Sequence, residues 1–343
     1  MKALVTTVTV HLTLTVLAYI SLVVQVAAFL INASIILVYI RRPGLLKPFN
    51  VHFFILLIED VFCGILLGSL QLQKHLLPGA IDFTTRAACS YSKYTQWTAA
   101  SWMLLQHVVI CLDRWLALLR PNWYRTKTIK FGVLAAVFAV TFQMTLYLPL
   151  FLTDYYIVKP AGMDCRITWA LPNYQVFVRV VTMYIPQLII FLSYPLFLFT
   201  LWFRHGRVQR PRIGPVGQSG EASTGRPTGQ ASVSRYSVST IAATKSKKQA
   251  SNQLRMVLWF VCLQIVCWLP VTVTTALLIS ALEYRSPLAV DVFQITEFLP
   301  VILLLADPVV FLVFLKDVRR EVTAQLGLAI RAVQSVASHV ATG

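Results

Sequence analysis

Charge is what this 343-residue sequence has least of: Asp, Glu, Lys and Arg together make up 13% of it, about half the share of an ordinary soluble domain. So few charges cannot build a water-facing surface around a chain that is 57% hydrophobic, and a mean hydropathy of +0.70 excludes a soluble globule. The 14 glycines and 16 prolines are too few for a collagen-like or low-complexity chain, and six cysteines are too few for a disulfide scaffold. Acidic residues are scarcest, 13 against 30 basic ones. That basic excess would suit nucleic acid only if it were gathered on one soluble face. Here it lies between long apolar runs, as topology-setting loop charges do. A membrane protein is expected, with no nucleic-acid partner.

Seven apolar runs are long enough to span a bilayer: Val10–Tyr39, Val51–Leu72, Tyr91–Leu119, Gly132–Leu152, Val176–Phe203, Met256–Leu282 and Val292–Leu315. The expected fold is therefore all-α, a seven-transmembrane helix bundle. Of the 30 Lys and Arg residues, 22 fall in the segments on the carboxy-terminal side of the membrane. By the positive-inside rule the amino terminus (1–9) is extracellular and the carboxy terminus cytoplasmic. Met1-Lys2 runs directly into apolar residues without a separate cleavage site, which predicts an uncleaved anchor. The sequon Asn32-Ala33-Ser34 lies inside span one, where no glycosylation is expected.

Transmembrane helices 1–5 occupy 10–203 and helices 6–7 occupy 250–315. Between them, 204–249 is a basic, Ser-, Gly- and Pro-rich third intracellular loop without the apolar residues for a core, expected to be disordered. Its charges could tether it to anionic membrane lipid. After Phe314, Leu315, Val318, Val322, Leu326, Ile330 and Val333 recur at helical spacing opposite Lys316, Arg319 and Arg320. This predicts a short amphipathic helix on the inner leaflet and a cytoplasmic tail, within 316–343.

Polar residues inside the spans are functional candidates, because each is expensive in lipid. They are Asn32, Glu59, Asp60, Gln96, His107, Asp113, Arg114, Gln264, Glu297 and Asp307. Several stand at telling positions. Asn32 is mid-span one and Asp60 mid-span two. Cys89 precedes span three, which closes on Asp113-Arg114-Trp115 with Pro121 following. Pro186 and Tyr194 lie in span five, Cys267-Trp268-Leu269-Pro270 in span six and Asp307-Pro308-Val309-Val310-Phe311 in span seven. In this order, and each on its own span, they resemble the landmarks of rhodopsin-like (class A) G protein-coupled receptors; no subfamily is identified.

The resemblance implies a cell-surface receptor at the plasma membrane that converts ligand binding into heterotrimeric G protein activation, with arrestin as a second partner the family admits. No enzyme activity, cofactor or metal is expected. Asp113, Arg114, Trp115, Pro121 and Tyr194 would couple to the G protein. Asn32, Asp60, Trp268, Pro270, Asp307, Pro308 and Phe311 would form the activation switch, and Cys89 and Cys165 a disulfide, with two free thiols as the alternative. Arg114 is also open to a plainer reading, an arginine snorkelling to the interface. The chain departs from the family in Trp115 and Phe311, where relatives carry tyrosine, and in Asp307, where asparagine is commoner. Met103 and Leu303 replace polar residues of the family's sodium site, and a hard cation needs several oxygens. Ala250 offers no acidic partner to Arg114, which suggests a loosely held resting state and high basal activity.

His107 and Gln264 stand where relatives carry an apolar plug. Seven residues above Arg114 and four before Trp268, they should point into the bundle at similar depth. Two solutions are open: a bond between them, direct or through water, or separate bonds to local backbone carbonyls. The outer third offers Lys93, Gln96, Trp97, Arg179, Thr182, Thr275, Gln294 and Glu297 as a ligand pocket. This mixed lining favours a peptide, whose basic group Glu297 could hold; Glu297 could equally pair with Lys93 or Arg179. A lipid or other small molecule is the alternative ligand, and a non-signalling decoy receptor the alternative function. No repeat symmetry, filter loop or catalytic constellation supports a transporter, channel or enzyme.

Overall fold

The computed structural model describes residues 2–48, 50–71, 86–153, 155–156, 171–208, 255–256, 258–277, 292, 295–296 and 298–342. Helix α1 covers Lys2–Arg41, α2 Val51–Gln71 and α3 Arg86–Leu119. A short α4, Pro121–Thr126, leads into α5, Ile129–Thr153. The fifth span is compound: α6, Pro172–Arg179, passes through one π-helical turn at Val180–Tyr184 into α7, Ile185–Val208. Helix α8 is Leu258–Leu277, α9 Val301–Phe314 and α10 Lys316–Thr342. The result is an all-α bundle of seven helices followed by an amphipathic eighth, without strands among the described residues. Five helical stretches there are long and apolar enough to cross a membrane; α2 and the shorter, apolar α9 complete the seven.

The bundle is apolar outside and polar within. Val23, Leu30, Leu134 and Phe138 are exposed, whereas Asn32, Asp60, His107 and Asp307 are buried. Lipid demands this, because a helix satisfies its own backbone and only its side chains must choose between hydrocarbon and protein. Helix α3 runs through the centre, packed on α2, α5 and α7. Helix α1 closes the bundle against α2 and α9, and Asn32 Nδ2 donates to the Leu304 carbonyl at 3.0 Å.

Prolines set several boundaries. Pro121 and Pro172 occupy the first helical position of α4 and α6, where the missing N–H costs nothing. Residues 121–126, expected as loop, are therefore helical. Helix α1 begins at Lys2, eight residues before the apolar run that defines span one. Leu315, at φ −96° and ψ 85°, ends α9, and α10 turns away with Val318 buried against Ile35, Tyr39 and Leu57. Arg42, just after α1, pairs with Glu321 on α10 at 3.3 Å. Beyond that dock Leu326 and Ile330, about one helical turn apart, remain exposed, an apolar stripe suited to a lipid surface. Of the expected loop 204–249, residues 204–208 continue α7, and the remainder lies outside the described residues.

Candidate functional site

Three polar layers are stacked along α3. At the end that carries Asp113, one carboxylate gathers four partners. Arg114 approaches Asp113 Oδ2 at 2.8 Å, and the Tyr124 hydroxyl donates to the same oxygen at 2.9 Å. Lys127 Nζ pairs with Oδ1, and His52 Nε2 lies 3.6 Å from it and 3.1 Å from Lys127 Nζ. All four partners reach Asp113 from different places: Arg114 beside it on α3, Tyr124 on α4, Lys127 after α4, and His52 at the start of α2. Burial pushes the Tyr124 hydroxyl up to about 12, so it stays a donor at physiological pH. The Arg114 guanidinium also lies over the Phe53 ring, 5.4 Å from its centroid. A buried carboxylate is tolerable only with such partners.

The absence of an acid at Ala250 suggested a loose Arg114. Ala250 lies outside the described residues, but Arg114 is braced from its own helix and the following turn. Trp115 packs on Phe197 at 5.1 Å, and Pro121 starts the helix that delivers Tyr124. Tyr194 lies on α7, its side chain outside the described set.

In the middle layer His107 takes the second of the two open solutions, a local backbone carbonyl, and adds a contact that neither included. His107 does not bond directly to Gln264. Its Nδ1 lies 2.7 Å from the Met103 carbonyl, and its Nε2 lies 3.3 Å from Asp307 Oδ2 on α9. The Gln264 amide, although buried, has no hydrogen-bond partner among the described residues. A helical register shows which side chains point inward, but the lateral position of α9 decides which of them meet. Asp60 and Asp307 lie close enough to interact electrostatically, and both are at most 2% exposed. Phe311 is buried edge-on to Phe53 at 4.6 Å, joining α9 to α2 below this layer. Pro308 is inside α9 beside Asp307.

Above this layer a cavity opens at the opposite end of the bundle, over Trp268. Gln96, Trp97, Arg179 and Thr275 line it as expected, together with Tyr147, Met103 and Leu304, which sequence reasoning did not select for it. Arg179 stacks over Trp97, its guanidinium carbon 4.4 Å from the ring centroid. Thr182 is displaced from the wall. It lies behind Tyr147, whose hydroxyl sits 2.8 Å from it and 2.5 Å from Ser101, so Tyr147 takes the wall position. Pro270 lies in α8, with the Thr274 hydroxyl donating to its carbonyl at 2.9 Å. Gln294, Glu297 and Cys165 lie outside the described residues, as do the side chains of Lys93 and Cys89, and with them the disulfide and the Glu297 pairing.

Sequence reasoning also missed His52, Tyr124 and Lys127. His52 was the one with a signal, an imidazole among the apolar residues that open span two. Tyr124 and Lys127 read as ordinary loop residues until Pro121 makes the turn helical.

Residues 31–311 match the profile of one family, the 7 transmembrane receptor (rhodopsin family). The matched stretch runs from the residue before Asn32 to Phe311 and takes in all three layers. No curated protein matches the chain.

Proposed function

The chain belongs to the rhodopsin family of seven-transmembrane receptors, and from that premise we propose that it sits in the plasma membrane with its amino terminus outside and activates a heterotrimeric G protein when a peptide occupies its outer cavity. One observation carries the output half. Arg114, a cation with five donors, is held under the cytoplasmic end of α3 by an adjacent carboxylate that itself has three other partners. Any movement that takes Asp113 away frees Arg114 for an incoming helix. The 22 basic residues on that side support the orientation.

The cavity chemistry supports the input half. Apolar walls of Met103, Val271 and Leu304 accept apolar side chains, and Arg179, stacked on Trp97 at the same wall, places a cation beside any terminal carboxylate or carbonyl that enters. The same walls would also accept an amphipathic lipid acid, which is the second reading. Arrestin is a further cytoplasmic partner, and the exposed apolar stripe of α10 beside Arg319, Arg320 and Arg331 suits anionic lipid.

Nucleotide exchange on purified G proteins, in membranes expressing the chain, tests this. Wild type should accelerate exchange and Arg114→Ala should not, at equal surface expression. Equal exchange in both would overturn the coupling, and no exchange from wild type under any ligand would favour a decoy receptor. Screening peptide and lipid libraries against wild type and Arg179→Gln then identifies the ligand class.

A further inference from the structure

In the middle layer a buried histidine faces a buried carboxylate. His107 Nδ1 lies 2.7 Å from the Met103 carbonyl, and a carbonyl can only accept, so Nδ1 carries a hydrogen. In a neutral imidazole the other nitrogen, Nε2, is then bare. Yet Nε2 faces Asp307 Oδ2 at 3.3 Å, with the two side chains 2% and 0% exposed. A bare ring nitrogen and an ionised carboxylate oxygen would set lone pair against lone pair in a site closed to water. One proton between them removes the conflict, whether the pair is written as imidazolium and carboxylate or as imidazole and carboxylic acid.

The surroundings strengthen the demand for that proton. Asp60 on α2 acts electrostatically on Asp307, and Glu59 acts on Asp60. The other titratable groups facing the cluster are the thiols of Cys63 on α2 and Cys267 on α8. Among the described residues, helix α1 contributes the uncharged Asn32 amide, whose Nδ2 donates to the Leu304 carbonyl. Among the described residues, the other contacts of His107 are the Met103 carbonyl and the Phe260 ring, neither of them charged, so the cluster is acid-rich.

We propose that His107 and Asp307 bind one proton in the middle of the bundle, tying α3 to α9, and that its release unties the two helices and promotes the signalling state. With the proton present, α3 is tied to α9 while Arg114 is engaged with Asp113, as described above. Without it, a carboxylate and a bare imidazole face one another, and the cheapest relief is separation of the helices.

Proton counting gives the direction. Above the ordinary histidine range of about 6.5 the unfolded chain carries no proton on either group, while the folded chain keeps one. Stability then falls as pH rises, by about 2 °C in Tm per pH unit for a chain of this size. Below that range the unfolded histidine is protonated as well, and the dependence flattens.

The test is thermal unfolding of the full-length chain in detergent, followed by tryptophan fluorescence between about pH 7 and pH 9, for wild type and Asp307→Asn. The asparagine amide donates to Nε2 at every pH used and does not titrate. Wild type should lose Tm with rising pH relative to Asp307→Asn, and replacing choline with sodium should shift neither. Parallel curves would overturn the proposal, as would stabilisation of wild type by sodium. If Asp307→Asn does not fold, His107→Gln provides the same comparison, its amide donating to Asp307 at every pH. This readout does not depend on the receptor reading. The signalling half is tested separately by ligand-free nucleotide exchange, which should rise several-fold over the same pH range in wild type and stay level in the variant. Level exchange in both, with the Tm difference intact, would overturn the link to signalling while leaving the proton site standing.

Discussion

Gly132 on α5 presses against Val51 on α2 so closely that a Cβ at Gly132 would lie 2.4 Å from Val51 Cγ1 and 3.4 Å from the His52 ring. No real pair of carbons stays at the first distance, so the crossing of the two helices depends on the missing side chain. The same crossing places Lys127, just before α5, beside His52 and Asp113.

Substituting Gly132→Val should therefore destabilise the bundle by about 1–3 kcal/mol, the usual cost of overpacking a buried contact. The measurement is Tm in detergent together with the number of molecules at the cell surface. The double variant Gly132→Val with Val51→Ala should recover part of the loss, since it removes the opposing methyl groups. No recovery would mean that the crossing is limited by something other than this contact.

Asp113 concentrates the contacts that hold Arg114. Asp113→Asn removes the charge that attracts Arg114, Lys127 and His52 but keeps the shape, so ligand-free nucleotide exchange should rise several-fold at matched expression. Lys127→Met should have a smaller effect of the same sign, because Tyr124 and Arg114 remain on the carboxylate. Unchanged basal exchange in both variants would show that this network does not restrain the output.

Val318 anchors α10 in the pocket formed by Ile35, Tyr39 and Leu57. Val318→Asp would place an unpaired carboxylate there, at a cost of about 2 kcal/mol or more. The helix should detach, which a spectroscopic distance measurement between the ends of α1 and α10 would register as a wider separation. Val318→Ile should leave the distance unchanged.

The Cys89–Cys165 disulfide implied by the family resemblance is checked by mass mapping of unreduced peptides. The expected result is one linked pair, with Cys63, Cys111, Cys262 and Cys267 recovered as free thiols, as they are in the structure. Recovery of both Cys89 and Cys165 as free thiols would exclude the bridge.

The seven spans, the all-α class and the family could be read from residues alone, for two physical reasons. A bilayer requires a long apolar run at each crossing, which periodicity and length display directly. A polar residue inside such a run is so costly that its position stands out, as Asn32, Asp60 and Asp307 do. Val318 and its 3–4 spacing announced the amphipathic helix in the same way. These are local signals, written in order along the chain.

Partner choice across the bundle was not local, and only the tertiary structure decided it. The sequence placed His107 and Gln264 at one depth on inward faces, but depth does not say which neighbour lies across. The position of α9 brought Asp307 to His107 and left Gln264 without a partner among the described residues. Thr182 and Tyr147 exchanged places in the same manner, because Tyr147 is long enough to reach over Thr182 to the cavity wall while its hydroxyl bonds behind. Lys127 and His52 are 75 positions apart and meet only because Gly132 lets α5 approach α2. Hydrophobic pattern determines which residues are inside; helix crossings, set by side-chain volume at contacts such as Gly132 against Val51, determine whom they touch.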